Sequence, residues 1–158
     1  MPIFTFLFTD FKGSSELKIH GHFGADETTR NARYQETVNR PQLRRLRELV
    51  ETHAGRYVKG IGDSVFAAFL SPTDAFRAAV AMQRSFTANP IQTVPGSVLS
   101  IRIGLHTGEA IEQTDDFHGS AVDVAARVES AADGEQILIS GSTHGLLGRI
   151  DDMPFHRL

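Results

Sequence analysis

The segment Arg56–Phe69, RYVKGIGDSVFAAF, constrains the fold more than any other stretch. Two short runs rich in β-branched and aromatic residues flank a break carrying Gly60, Gly62 and Asp63. That pattern predicts a strand, a glycine-bearing turn and a second strand. Asp63 sits at the tip, and Lys59 lies on the incoming strand. Taken alone, an aspartate there is more simply a turn residue. Paired with a second carboxylate from a neighbouring strand, it could hold a hard divalent cation, with phosphates and water completing the shell.

Ile3–Thr9 supplies such a neighbour. It reads as a buried strand ending in Asp10-Phe11-Lys12-Gly13-Ser14-Ser15, with a helix start near Ser14 or Ser15. Backbone N–H groups at a helix start attract phosphate while the acid takes a metal; the plainer alternative is that Asp10 and Ser14 only cap the helix.

Residues 21–30 read as a loop, and Asn31–His53 as helical, with Pro41 opening a second piece or kinking a single helix. Leu43, Leu46, Leu49 and Val50 form its apolar stripe, and Arg40, Arg44, Arg45 and Arg47 a solvated surround. Ser71-Pro72-Thr73-Asp74 opens a helix running to about Ala88 and burying Phe76, Ala79, Val80 and Phe86.

A loop over 89–97 leads to a strand, Val98–His106, with Ile101, Ile103 and Leu105 on one face and Arg102, Gly104 and His106 on the other. His106 reads as a structural histidine. Thr107-Gly108 predicts a turn into a strand over Glu109–Gln113, and residues 115–120 another turn. A helix follows from about Ser120 to Ala132, with Val122, Ala125, Ala126 and Val128 apolar, and Asp123 and Arg127 sharing a face as a plain ion pair. A strand over Gln136–Ser140, a short helix capped by Ser142 and an incomplete strand from Phe155 close the chain.

This order of elements is the split βαβ arrangement of the ferredoxin-like or palm class. It is an α+β fold with a βαββαβ core, an antiparallel-rich sheet and helices packed on it. A length of 158 residues suits one domain spanning 1–158. A net charge of -3 gives no basic field for nucleic acid. The absence of cysteine excludes disulfides and cysteine-bound zinc and fits a cytoplasmic location. No apolar run approaches a membrane span, so no membrane contact is expected from this stretch.

With these residues laid out, the chain resembles the catalytic domain of class III nucleotidyl cyclases of the adenylate cyclase type. Four segments carry the resemblance in order: Phe8–Ser14, Lys59–Asp63, Arg102–Glu109 and Asp116–Arg127. The resemblance implies that Asp10, Asp63 and the Phe11 carbonyl hold two divalent cations, Mg or Mn. It implies that the backbone from Phe11 through Lys12, Gly13 and Ser14 to Ser15 cradles phosphates. Lys59 and Asp116 would read the base, and Arg127 would stabilise transition-state charge. Where the family has a ribose-orienting asparagine, this chain has Asp123, which only accepts and adds negative charge. The family also continues into a closing hairpin where this sequence stops. The implied activity is conversion of ATP to cyclic AMP and pyrophosphate at a homodimer interface, with regulatory domains linked outside the stretch. The alternatives are a weak or inactive cyclase-homology module that binds nucleotide or a partner domain, and a cyclase for another nucleotide.

Overall fold

A computed structural model describes residues 1–13, 24, 26–91, 99–150 and 153–157. The expected helix start at Ser14 or Ser15 lies outside them. Strand β1 spans Ile3–Lys12, so Asp10 lies within the strand rather than after it. Helix α1, Glu27–Tyr34, begins inside the expected loop because Asp26 caps it, its Oδ1 accepting from Thr29 N at 2.8 Å. A π-helical turn over Gln35–Asn39 joins it to α2, Arg40–Thr52, with Arg40 N–H donating to the Gln35 carbonyl. Pro41 explains that wide turn: it lacks an N–H and its ring crowds the carbonyl four residues back.

The hairpin forms as expected, from β2, Arg56–Ile61, and β3, Ser64–Phe69. Ile61 pairs with Ser64 across a two-residue turn in which Gly62 has φ +58, the left-handed first position a II′ loop demands. Helix α3 spans Pro72–Ala88 and is capped by Ser71, as its sequence signature requires.

Strand β4, Ser100–Glu109, runs straight through the turn expected at Thr107-Gly108. Those glycines answer to packing, not to chain reversal. A Cβ on Gly108 would stand 2.7 Å from the Ala121 Cβ, and one on Gly104 would stand 2.3 Å from the Glu129 backbone nitrogen. The reversal comes later, between β5, Ile111–Gln113, and β6, Asp116–His118, with Thr114 and Asp115 at φ +51 and +60. No Asn-Gly pair marks that reversal, and the turn expected over 115–120 is strand at 116–118. Helix α4 is Ser120–Ala131. Its buried stripe is Ala121, Ala125 and Glu129; of the apolar positions expected on it Ala125 is buried, and Val122, Ala126 and Val128 are half-buried. Strand β7, Ile137–Ile139, precedes α5, Gly141–Leu146, which is capped by Ser140 rather than Ser142. Residues 153–157 form no strand.

The main sheet has the order β2-β3-β1-β4-β7, antiparallel except for the β4–β7 pair; β5 and β6 form a separate ribbon. This is the α+β architecture expected. Period-two alternation divides the sheet into two faces. Leu7, Phe11, Val65, Ala67, Phe69, Ile101, Ile103 and Leu105 join the aliphatic core formed with α2 and α3. Phe6, Phe66 and Ala68 point the other way, toward Phe117, Ala121 and Ala125 on β6 and α4.

Candidate functional site

Asp10, Lys59 and Asp116 lie on the aromatic face, and Asp63 stands at the hairpin tip. Asp10 continues the alternation of Phe4, Phe6 and Phe8 and pairs with Arg102 across the β1–β4 ladder. Its Oδ2 lies 3.0 Å from Arg102 Nη2, and its Oδ1 accepts from Phe11 N at 2.9 Å. The β1–β3 ladder ends at Thr9 opposite Val65, and Asp63 precedes Val65 by two residues in the hairpin turn, so the turn acid and Asp10 of the neighbouring β1 lie near one end of the sheet.

Asp63 Oδ1 is buried and accepts no hydrogen bond. An ionised oxygen withdrawn from water without a donor is costly, and a cation is a natural complement. The hairpin tip is held in place by Asn39, whose Nδ2 donates to the Gly62 carbonyl at 3.1 Å and to Gln35 Oε1 at 2.6 Å. Asp63 thus meets the donor chemistry of a divalent-cation site, whereas Asp10 must first share or yield its bond to Arg102. Among the described residues no group of three or more His, Cys, Asp or Glu side chains converges, so a cation here would draw on two carboxylates, backbone oxygen and substrate.

Lys59 and Asp116 meet directly, Nζ to Oδ2 at 2.7 Å. A β-bulge makes this possible. Tyr57 pairs with Ala67 and Lys59 with Phe66, leaving Val58 as the extra residue. Plain alternation would turn Lys59 toward the helices with Tyr57; the bulge turns it onto the face of Phe66 and Phe117. The Lys59 hydrogen bond, aided by a bond from Phe117 N, holds the Asp116 carboxyl below the usual aspartate range. The β5–β6 ribbon is fastened by Arg56, which pairs with Glu112 and Asp115 and lies over the Phe117 ring.

Asp123 and Arg127 are exposed on α4, and they do not form the expected ion pair with each other. Lys12 is bound to Asp133 at 2.7 Å. Gly13 has φ +96, a conformation that suits glycine where the strand ends. The Phe11 ring packs edge-on against Phe86 in the aliphatic core. Ser14 and Ser15 lie outside the described residues. His106 is structural as expected, its Nδ1 lying 2.7 Å from Ser140 Oγ.

Two residues acquire significance only from the structure. Alternation alone puts Arg102 on the polar face of its strand, and only the strand register sets it beside Asp10. Glu129 falls on an apolar stripe and is 7% exposed. Burial raises its carboxyl above the usual range, opposed by the Arg102 charge. Cavities of about 770 and 630 Å³ lie on the α3 side, lined by residues such as Phe76, Val80, Arg84 and Met153. Neither touches Asp10, Asp63, Lys59 or Asp116.

Comparison with known proteins shows the family and the fold. The sequence profile of the adenylate and guanylate cyclase catalytic domain matches residues 3–156, and the chain belongs to that family. A Podospora anserina protein named adenylate cyclase is 28% identical over 157 residues, covering 85% of this chain and 7% of its own length. The crystal structure of an adenylate/guanylate cyclase/hydrolase from Silicibacter pomeroyi superposes with a TM-score of 0.66 at 26% identity, over 90% of this chain and 78% of that one. The catalytic core of a rhodopsin-guanylyl cyclase with converted specificity, in complex with ATPalphaS, gives a TM-score of 0.77 at 19% identity. It covers 92% of this chain and 80% of that one, a likeness of fold. The chain spans at most 41% of the length of the first curated relatives it matches. No helix among the described residues is long and apolar enough to cross a membrane.

Proposed function

We propose that the chain is an adenylate cyclase domain, converting ATP to 3′,5′-cyclic AMP and pyrophosphate in a site completed by a second copy of itself. The observation that carries this reading is the Lys59–Asp116 pair on the aromatic face. Lysine only donates and ionised aspartate only accepts, which matches the ring-nitrogen acceptor and amino donor of adenine. Guanine offers the reverse order, and each mismatch in a dry pocket costs about 1–3 kcal/mol. Cytosine shares the adenine pattern, so CTP must be excluded by pocket size.

In the reaction the ribose 3′-oxygen forms a bond to the α-phosphorus, the bond to the bridging pyrophosphate oxygen breaks, and the hydroxyl proton leaves to water. Two divalent cations, Mg or Mn, would supply acidification of that hydroxyl and neutralisation of the triphosphate. Asp10, Asp63 and the Phe11 carbonyl would hold them. Lys12, Gly13, Ser14 and Ser15 would cradle phosphates, and Arg127 would meet charge developing on them. Asp123 would accept from the ribose. Within a single chain Lys59 and Asp116 satisfy one another, and the two cavities described lie elsewhere. Both facts support a twofold arrangement in which one copy's base readers face the other copy's acids.

The test is product formation from ATP, GTP, CTP and UTP with Mn²⁺ or Mg²⁺. Cyclic AMP is expected from ATP alone, lost in Asp10→Ala and Asp63→Ala, with specific activity rising with protein concentration. A second reading, a nucleotide-binding module with little turnover, draws on the Asp123 carboxylate and on the engagement of Asp10 by Arg102. ATP binding without product, unrelieved by Asp123→Asn, would favour it. Product from another nucleotide would move the specificity instead.

A further inference from the structure

Asp10 does not hold Arg102 alone. The guanidinium lies between two carboxylates: Nη2 is 3.0 Å from Asp10 Oδ2, and Nε is 2.9 Å from Glu129 Oε1. Nη1 also donates to the Ser130 carbonyl at 3.2 Å. Both atoms of that Nε–Oε1 contact are buried, and the close charge pair they form is the contact each makes. Glu129 is buried on α4, whose backbone passes so close to β4 that a Cβ on Gly104 would collide with it.

Two negative charges thus compete for one positive charge, and only one of them, Asp10, is wanted elsewhere. A cation arriving at Asp10 needs oxygen lone pairs that Arg102 now occupies, and it repels the guanidinium. Releasing Asp10 is tolerable only if Arg102 keeps a counter-charge in a setting shielded from water. Glu129 is placed to be that counter-charge, with the Ser130 carbonyl as a second acceptor. If position 129 were neutral, Asp10 would be the guanidinium's one carboxylate, and the pair would be harder to open.

We propose that Glu129 is a positioning residue that retains Arg102 and thereby frees Asp10 for a divalent cation, an inference that rests on the reading of Asp10 as a metal ligand. The probe is Mn²⁺ alone, titrated into the full chain without nucleotide and followed by electron paramagnetic resonance of the free ion. Glu129→Gln preserves shape and should weaken Mn²⁺ affinity about 10-fold, the scale of one partly shielded charge–charge interaction. Arg102→Gln should tighten it by a similar factor. In the Arg102→Gln background, adding Glu129→Gln should change affinity less than about twofold, because Glu129 acts through Arg102. A negative charge acting only through its field would weaken binding equally in both backgrounds.

If Glu129→Gln does not fold, as circular dichroism and the thermal midpoint would show, Glu129→Asp takes its place: it keeps the charge but shortens its reach to Arg102, and it should weaken Mn²⁺ affinity in the wild-type background and change it less than about twofold in the Arg102→Gln background. Mn²⁺ bound in a manner lost in Asp10→Ala but indifferent to Glu129→Gln, or weakened equally in both backgrounds, overturns the inference and leaves the metal reading intact. Absence of Mn²⁺ binding in wild type, or binding unchanged in Asp10→Ala, overturns both.

Discussion

The two faces of the central sheet are built on different terms. Toward α2 and α3 the strands present Leu7, Val65, Ile101, Ile103 and Leu105, all fully buried against residues such as Leu46, Val50 and Met82. Toward α4 they present phenylalanines, glycines and charge: Phe6 and Phe66, Gly104 and Gly108, Asp10 and Arg102. On the first face large aliphatic side chains, with Phe11 and Phe69, hold the helices off. On the second, missing side chains at Gly104 and Gly108 bring the α4 backbone nearly onto the strand. The first face stores stability in apolar area removed from water. The second gives up bulk to deliver Glu129 to Arg102 and to stand Asp123 and Arg127 at the surface. Stability and chemistry are thus segregated by side-chain parity along the same strands.

Adjacent residues of β4 test that division most sharply. Leu105→Ala opens a cavity on the aliphatic face and should cost about 2–5 kcal/mol in denaturant unfolding, with turnover per folded molecule unchanged. Gly104→Ala, one residue earlier, should cost about 3 kcal/mol by overpacking and should also lower turnover per folded molecule, because α4 must shift. Equal activity in the two folded variants would dissolve the distinction.

Lys59→Met probes the chemical face alone. Loss of a charged donor should leave the melting point nearly unchanged while cutting the preference for ATP over GTP in kcat/KM by about 1.5–3 kcal/mol, roughly 10-fold or more. An unaltered preference would remove Lys59 from base recognition.

The smallest effect concerns His106, on the polar face beside Ser140. Burial depresses its pKa below the ordinary value. As pH falls, the unfolded chain takes up this proton before the folded one does. Stability is therefore full above about pH 6.5 and declines as pH drops through that value toward the folded-state pKa. His106→Asn should flatten that decline in melting temperature; an equal slope in the variant would assign the decline to other groups.

Local pattern carried much of this. The hairpin could be placed from Gly62 and its flanking β-formers, and the α3 start from Ser71-Pro72, because turn and cap preferences are properties of a few neighbouring residues. The same logic misplaced the turn at Thr107-Gly108, since a glycine required by a helix packed overhead looks in sequence like one required by a bend. Thr114-Asp115, the real reversal, carries left-handed backbone on residues that do not advertise it.

The chain's own order of residues was enough to establish the split βαβ architecture and the family, because periodicity and short motifs are local signals. Only tertiary structure decided how the polar residues are shared out. The bulge at Val58 turns Lys59 toward Asp116, the β1–β4 register sets Arg102 against Asp10, and two absent side chains admit Glu129 as the second claimant. Each of these is a contact between segments distant in sequence, where strand parity and the closeness of helix to sheet, not residue type, determine which charges meet.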